Sequence, residues 1–213
     1  MFFSSPPDSA NQNQTVAGNT QFPSQYTVST AGGGSQTAPS ASGSVQSPDV
    51  ADAFSSLFSQ LGVVRVSFNQ LDTSSGGDGA AVYALYAKDV AVSKEIYPNE
   101  KNYSIHAAFI DLNEDGTNEA IVYGDLPGFC GVVGCPLDIY QKQAGAWGKI
   151  FSTVAQGEIG LLNVYVNSYR SLALTLSRRG TQSEVVSYSW DGKMYQPGAV
   201  IATWTDAGFV LTQ

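Results

Sequence analysis

Charge is scarce in this sequence. Only 13% of its 213 residues are Asp, Glu, Lys or Arg, about half the roughly 25% of an ordinary soluble protein. Cations are the scarcest, with 10 Lys and Arg against 18 acids and a net charge of −8. No basic stripe exists to neutralise phosphates, which excludes a nucleic-acid partner. The first cation is Arg65, so the N-terminal region also lacks a polybasic segment for membrane surfaces. No run of about 18 apolar residues occurs, so no transmembrane helix is expected. The opening Met1-Phe2-Phe3 is too short for the apolar region of a signal peptide. That leaves an upstream start, a mature form or another export route.

Uncharged polar residues fill the space that charge leaves. Ser, Thr, Asn, Gln and Gly dominate, while 43% hydrophobic residues still supply a core. The length suits one domain with a tail. A polar, weakly charged surface of this kind fits a secreted or cell-surface protein, periplasmic export included, better than a cytosolic enzyme.

Cysteine is nearly absent: Cys130 and Cys135 alone, in Cys-Gly-Val-Val-Gly-Cys. A thioredoxin-like motif has two intervening residues, not four, and a metal site wants further ligands nearby. A local disulfide is the simpler reading, with two buried thiols as the alternative. Closing so short a loop is worth about 2 kcal/mol in the chain-entropy model, and the bond implies an oxidising compartment.

Residues 1–47 form a separate region, rich in Ser, Thr, Gly, Pro, Gln and Asn, with Asp8 as the only charge. Alone it has too little apolar surface to offset its chain entropy. The plain reading is a stalk or linker, with O-linked sugars on its hydroxyls. Within it, Gln25-Tyr26-Thr27-Val28-Ser29-Thr30 alternates like a strand and would pair with a sheet edge if one were offered. Phe22, Tyr26 and Val28 are its candidate assembly residues. Asn13 and Asn102 each open an N-glycosylation pattern, a frequent chance match.

Residues 48–213 read as the folded domain. Ser47-Pro48-Asp49 makes a helix start, with a capping hydroxyl, a proline at the first position and an acid in the first turn. Val50, Phe54, Leu57, Phe58 and Leu61 follow helical spacing, and Gly62 ends the run. Val63–Phe68 reads as a strand and Ser74–Gly79 as a glycine-rich turn, while Ala80–Lys94 fits helix or strand, with its alanines favouring helix. From Ser104 onward short strands alternate with turns: 104–110, 120–123, 137–141, 147–154, 161–166, 172–177, 184–190, 200–204 and 209–211. Ala144-Gly145 and Asp191-Gly192 mark hairpins. The fold class expected is mainly β, an antiparallel meander or sandwich with one or two short N-terminal helices and an extended tail.

One stretch carries chemistry: Asp111-Leu112-Asn113-Glu114-Asp115-Gly116-Thr117-Asn118-Glu119. Oxygen-bearing side chains fall at relative positions 1, 3, 5 and 9, with glycine at position 6. Calcium (Ca2+) is a hard cation that takes six to eight oxygen ligands. Alternate residues of a tightly curled loop point inward, and the carbonyl of Thr117 serves at position 7. The candidate ligands are therefore Asp111, Asn113, Asp115, Thr117 and Glu119. An Asn/Asp/Gly-rich turn whose acids face water is the plain alternative. Against it, no Lys or Arg lies between Asn102 and Gln141 to relieve Asp111, Glu114, Asp115, Glu119 and Asp125, which repel unless a cation joins them.

The motif resembles the calcium loops of EF-hand, dockerin and integrin-type FG-GAP proteins. Position 12, a bidentate acid in EF-hands, is Val122 here, so the helix-loop-helix form does not fit; the FG-GAP pattern, with its last acid at position 9, does. The stretch from Phe109 to Cys135 also resembles secreted bacterial domains of unassigned activity. In those a calcium-like loop precedes a Cys-Gly-x-x-Gly-Cys turn. That resemblance implies a structural ion and no chemistry.

No catalytic motif competes. His106, the only histidine, lies on an expected strand, and no Gly-x-Ser-x-Gly elbow accompanies it. Glu95, Glu100 and Glu158 are acids of the kind any chain this long offers for glycoside hydrolysis. Gly32-Gly33-Gly34 lacks the Lys-Ser/Thr and helix of a phosphate loop. The expectation is a non-enzymatic, self-assembling cell-surface subunit whose partners are copies of itself, with glycans covalent or bound. A tethered module that binds glycan or protein is the alternative, and a hydrolase ranks last.

Overall fold

The computed structural model describes residues 50–72, 74–178, 182–205 and 208–212. The helix start at Ser47–Asp49 and the tail residues Phe22, Tyr26 and Val28 lie outside them.

The first helix, α1 (Val50–Gln60), buries Phe54, Leu57 and Phe58, the apolar stripe expected from their spacing. Gly62, at φ +63°, ends it. The Gly62 N–H bonds the Ser59 carbonyl and the Val63 N–H bonds the Phe58 carbonyl, the paired closure of a Schellman motif with its apolar Val63–Phe58 contact. Val63–Phe68 is not one strand. Val64–Arg65 (β1) joins one sheet and Asn69–Leu71 (β2) the other. The Val66 N–H bonds Ile159 O and its side chain is core, so the run is divided by the crossing.

The helix expected over 80–94 is two, α2 (Gly77–Leu85) and α3 (Ala87–Ile96). They break at Tyr86, whose side chain turns in to a buried carboxylate described below. Nine strands follow: β3 (Ser104–Ile110), β4 (Glu119–Asp125), β5 (Cys135–Gln143), β6 (Ala146–Ala155), β7 (Ile159–Val166), β8 (Tyr169–Arg178), β9 (Gln182–Trp190), β10 (Tyr195–Thr205) and β11 (Gly208–Leu211). All pairings are antiparallel. Sheet A runs β1-β7-β8-β9-β10-β11 and sheet B runs β2-β3-β4-β5-β6, so sheet B is a meander in chain order and sheet A is one from β7 onward, with β1 added beside β7.

The two meanders pack face to face. Leu112, Ile121, Leu137, Ile139 and Phe151 on the sheet B side meet Ile159, Leu172, Leu174, Val186 and Tyr188 of sheet A. Alternation sends the intervening residues outward, and helices cover both outer faces. On sheet A, α1 packs over Leu162, Ala173, Val185 and Ala202. On sheet B, Val82 of α2, Val90 of α3 and Tyr86 between them cover Ile105, Ala107, Ala120 and Val122. The result is four layers, helix–sheet–sheet–helix, a mainly β sandwich of the expected class.

Both marked hairpins form. Ala144 and Gly145 (φ +50° and +83°) make the two-residue turn that suits strand twist. Asp191 closes a four-residue loop by accepting the N–H groups of Lys193 and Met194, each at 2.8 Å. A third turn, Asn167-Ser168, also has both residues at positive φ, and it sets Tyr169 at the start of β8.

Cys130 and Cys135 form a disulfide with Cα atoms 4.1 Å apart. Gly131 and Gly134 pair across it, which leaves Val132 82% exposed at the tip. The intact protein should weigh two hydrogens less than its reduced form, and neither thiol should alkylate before reductant is added. Labelling of both cysteines in freshly isolated protein would contradict the bond. Among the described residues no helix is long and apolar enough to cross a membrane.

Candidate metal centre

The motif falls where β3 hands over to β4. Their last pair, Ile110–Glu119, closes an eight-residue loop at one end of the sandwich. Leu112 at position 2 is wholly buried in the inter-sheet core and anchors the loop from below. Glu114 and Gly116 adopt positive φ, +58° and +86°, and these two left-handed residues curl the chain. For Glu114 that costs energy, while for Gly116 it does not.

The curled backbone donates to the loop's own side chains. Asp111 accepts the N–H of Asp115 through Oδ1 (3.2 Å) and that of Gly116 through Oδ2 (2.9 Å). Asn113 Oδ1 accepts the Asp115 N–H at 3.1 Å, and Asp115 Oδ1 accepts the Thr117 N–H at 2.8 Å. Asn113 Nδ2 donates to Asp115 Oδ2 at 2.9 Å. The N–H of Thr117 and the amide of Asn113 hold the Asp115 carboxyl below its ordinary value, so it stays ionised.

Glu119 is different. It lies on the inward parity of β4 with Ile121 and is 0% exposed. Its Oε2 accepts the Leu112 N–H at 2.8 Å, while its Oε1 is buried with no hydrogen-bond partner. Leaving such an oxygen unpaired costs at least 1–3 kcal/mol, and more when charged. Burial pushes the Glu119 carboxyl up, the Leu112 N–H pulls it down, and the charges of Asp115 and Asp111 add to the rise. A buried acid facing two others, with one oxygen unanswered, is a donor set that fits a hard cation. Among the described residues, Asp111, Asp115 and Glu119 do not form a cluster of carboxylates already close enough to share an ion. On this geometry Asp111, Asn113, Asp115 and Glu119 would hold the ion through side chains and Thr117 through its carbonyl.

The sign of the pH dependence follows. With metal removed, Glu119 is stabilising below its ordinary value of 4.5, and that contribution is lost as pH rises through its higher folded value. The metal-free protein should therefore lose melting temperature as pH rises above about 4.5, and calcium, which needs the ionised form, should reverse the trend. A metal-free melting temperature that rises with pH above that value would contradict the assignment. Asp115, held low, contributes stability above its ordinary value of 3.8 that is lost only as pH falls below it.

At the far end of β4, Asp125 and the sulfurs of Cys130 and Cys135 lie within 4.8 Å of one another. Such a group could hold a metal ion, but with the disulfide formed neither sulfur is a thiolate ligand. The 3.6 Å approaches of Cys130 Sγ to Gly124 O and Asp125 Oδ1 are contacts without a proton.

The remaining candidates do not converge with the loop. His106 pairs in register with Gln70 and Tyr123 on β3. Glu158 forms an ion pair with Arg65, and Glu95 in the last turn of α3 and Glu100 beyond it are exposed. One cluster escaped sequence reasoning. Buried Asp138 accepts from Tyr86 (2.6 Å), Lys149 (2.8 Å) and Ser152 (2.6 Å). Burial lowers Lys149, yet Asp138 outweighs it and holds the amine above its ordinary value. Every oxygen here has a partner, so the cluster pins the helices to sheet B. Its members come from separate elements, and only the lone acid in an apolar strand hinted at it.

Comparison with known protein families, curated proteins and solved structures finds no match for this chain.

Proposed function

We propose that this chain is a non-enzymatic, calcium-stabilised structural module of the cell exterior that assembles with copies of itself. The observation that carries the calcium reading is Glu119, wholly buried with one carboxylate oxygen unpartnered, facing the charges of Asp111 and Asp115. The ion would be structural. Its ligands lie on one short loop that is packed on its inner side, and their natural role is to hold that loop closed. The resemblance to secreted bacterial domains with a calcium-like loop before a Cys-Gly-x-x-Gly-Cys turn points the same way, as does the disulfide, which belongs in an oxidising compartment.

Assembly draws its support from β6. This ten-residue strand pairs with β5 on one side, and among the described residues no strand borders its other side. A long open edge accepts an added strand, and Gln25–Thr30 of a neighbouring copy has the alternation to supply one. Such a head-to-tail contact propagates into a filament. Negative-stain images of the full chain with calcium should show fibres; monodisperse monomers at every concentration would refute assembly.

One observation favours the alternative, a tethered module that recognises glycan or protein. Val132 at the tip of the disulfide-closed turn is 82% exposed, in a position where turns usually carry polar residues or glycine. Monomers by light scattering would favour that reading.

A further inference from the structure

We propose that the calcium loop is completed by the opposite sheet: the Tyr169 hydroxyl of β8 positions Asn113 for the ion, so that ion binding and sheet closure are coupled. This rests on the calcium reading of the loop and goes beyond it, because Tyr169 belongs to no loop motif and lies 50 residues downstream of Glu119.

Three contacts from the β7–β8 hairpin reach three consecutive loop residues. The Arg170 N–H donates to Leu112 O at 2.7 Å. Asn113 Nδ2 donates to the Tyr169 hydroxyl at 3.1 Å, and the Tyr165 hydroxyl donates to Glu114 Oε1 at 2.6 Å. The loop leaves sheet B and is gripped by sheet A.

Asn113 is the residue on which this grip matters. An amide side chain offers an oxygen on one edge and two N–H donors on the other. Here both donors are engaged, one by Asp115 Oδ2 and one by Tyr169. The carbonyl oxygen is thereby turned to the loop's inner side, where it accepts the Asp115 N–H and keeps a lone pair for a cation. A flipped amide would set a donor against that N–H and against the ion.

Tyr169 is itself held firmly. Gln141 Nε2 donates to the same hydroxyl at 2.8 Å, and the ring is only 8% exposed. It stacks on Trp190 at 4.4 Å between centroids and 27° between planes. The Asn167-Ser168 turn fixes its entry, with Asn167 Nδ2 bonded to Trp190 O at 2.9 Å. A rigid residue one step removed from a ligand is what orients that ligand, and loss of such a partner weakens metal affinity by about 10- to 100-fold.

The test is calcium titration of the full chain by calorimetry. Tyr169→Phe removes the hydroxyl and keeps the stacked ring. It should weaken calcium binding about tenfold, and it should lower the melting temperature more in calcium than in EDTA, a difference that a merely structural tyrosine would not produce. In an Asn113→Ala background the same substitution should have no further effect on affinity. If Tyr169→Phe does not fold, Gln141→Leu, which strips the second amide from that hydroxyl, is measured with the same expected direction. Wild-type affinity retained in the Tyr169 variant overturns this proposal and leaves the calcium reading standing. No calcium binding by the wild-type chain overturns both.

Discussion

Stripping calcium with excess EDTA is expected to lower the melting temperature of this protein by about 5–11 °C. Free calcium at about 100 times its dissociation constant contributes about 2.7 kcal/mol to a folded state that alone binds it. In a domain of this size each kcal/mol moves the midpoint by about 2–4 °C. The variants should separate in a telling way. Asp111→Ala removes a ligand and also the acceptor for the Asp115 and Gly116 N–H groups, so it should lose the calcium response and some metal-free stability. Glu119→Gln should lose the calcium response too. Its metal-free form should melt no lower than wild type, because the substitution removes a buried charge that faces two others. Superimposable melts of the wild type with and without EDTA would contradict the account.

Deleting residues 1–47 is expected to abolish assembly and leave a calcium-binding monomer. Extended pairing along β6 would satisfy the amides of the donor segment, while Phe22, Tyr26 and Val28 seat in the neighbouring subunit. Replacing Tyr26 and Val28 with Asp should come close to the deletion, since an unpaired carboxylate buried at a sheet edge is strongly unfavourable. Sedimentation and negative-stain imaging read the result. A truncated chain that forms the same fibres would reduce the tail to a stalk.

The β-meander was legible because its strands are short, alternating and punctuated by turn residues. Strand 104–110 has the same bounds in the structure, and both glycine-marked hairpins form. The Asn167-Ser168 turn escaped notice because neither residue is glycine, and left-handed backbone at non-glycine positions leaves a weak trace in sequence. Val63–Phe68 misled because a run of apolar residues looks the same whether it stays in one sheet or crosses between two. The outer helices were read as elements, but their place on opposite faces depends on contacts such as Phe54–Phe209 and Tyr86–Asp138, which no local pattern encodes. The candidate calcium loop was visible because the residues proposed as its ligands are adjacent in the chain. Tyr169 was not, since the residue that holds Asn113 lies on the other sheet and becomes its neighbour only on folding.

The central claim is that Asp111–Glu119 binds one calcium ion, and equilibrium dialysis against calcium followed by elemental analysis tests it most directly. The wild-type chain should retain one calcium per molecule, and Glu119→Gln and Asp111→Ala should retain none under the same conditions. A wild-type chain that retains no calcium, or variants that retain as much as the wild type, would contradict it.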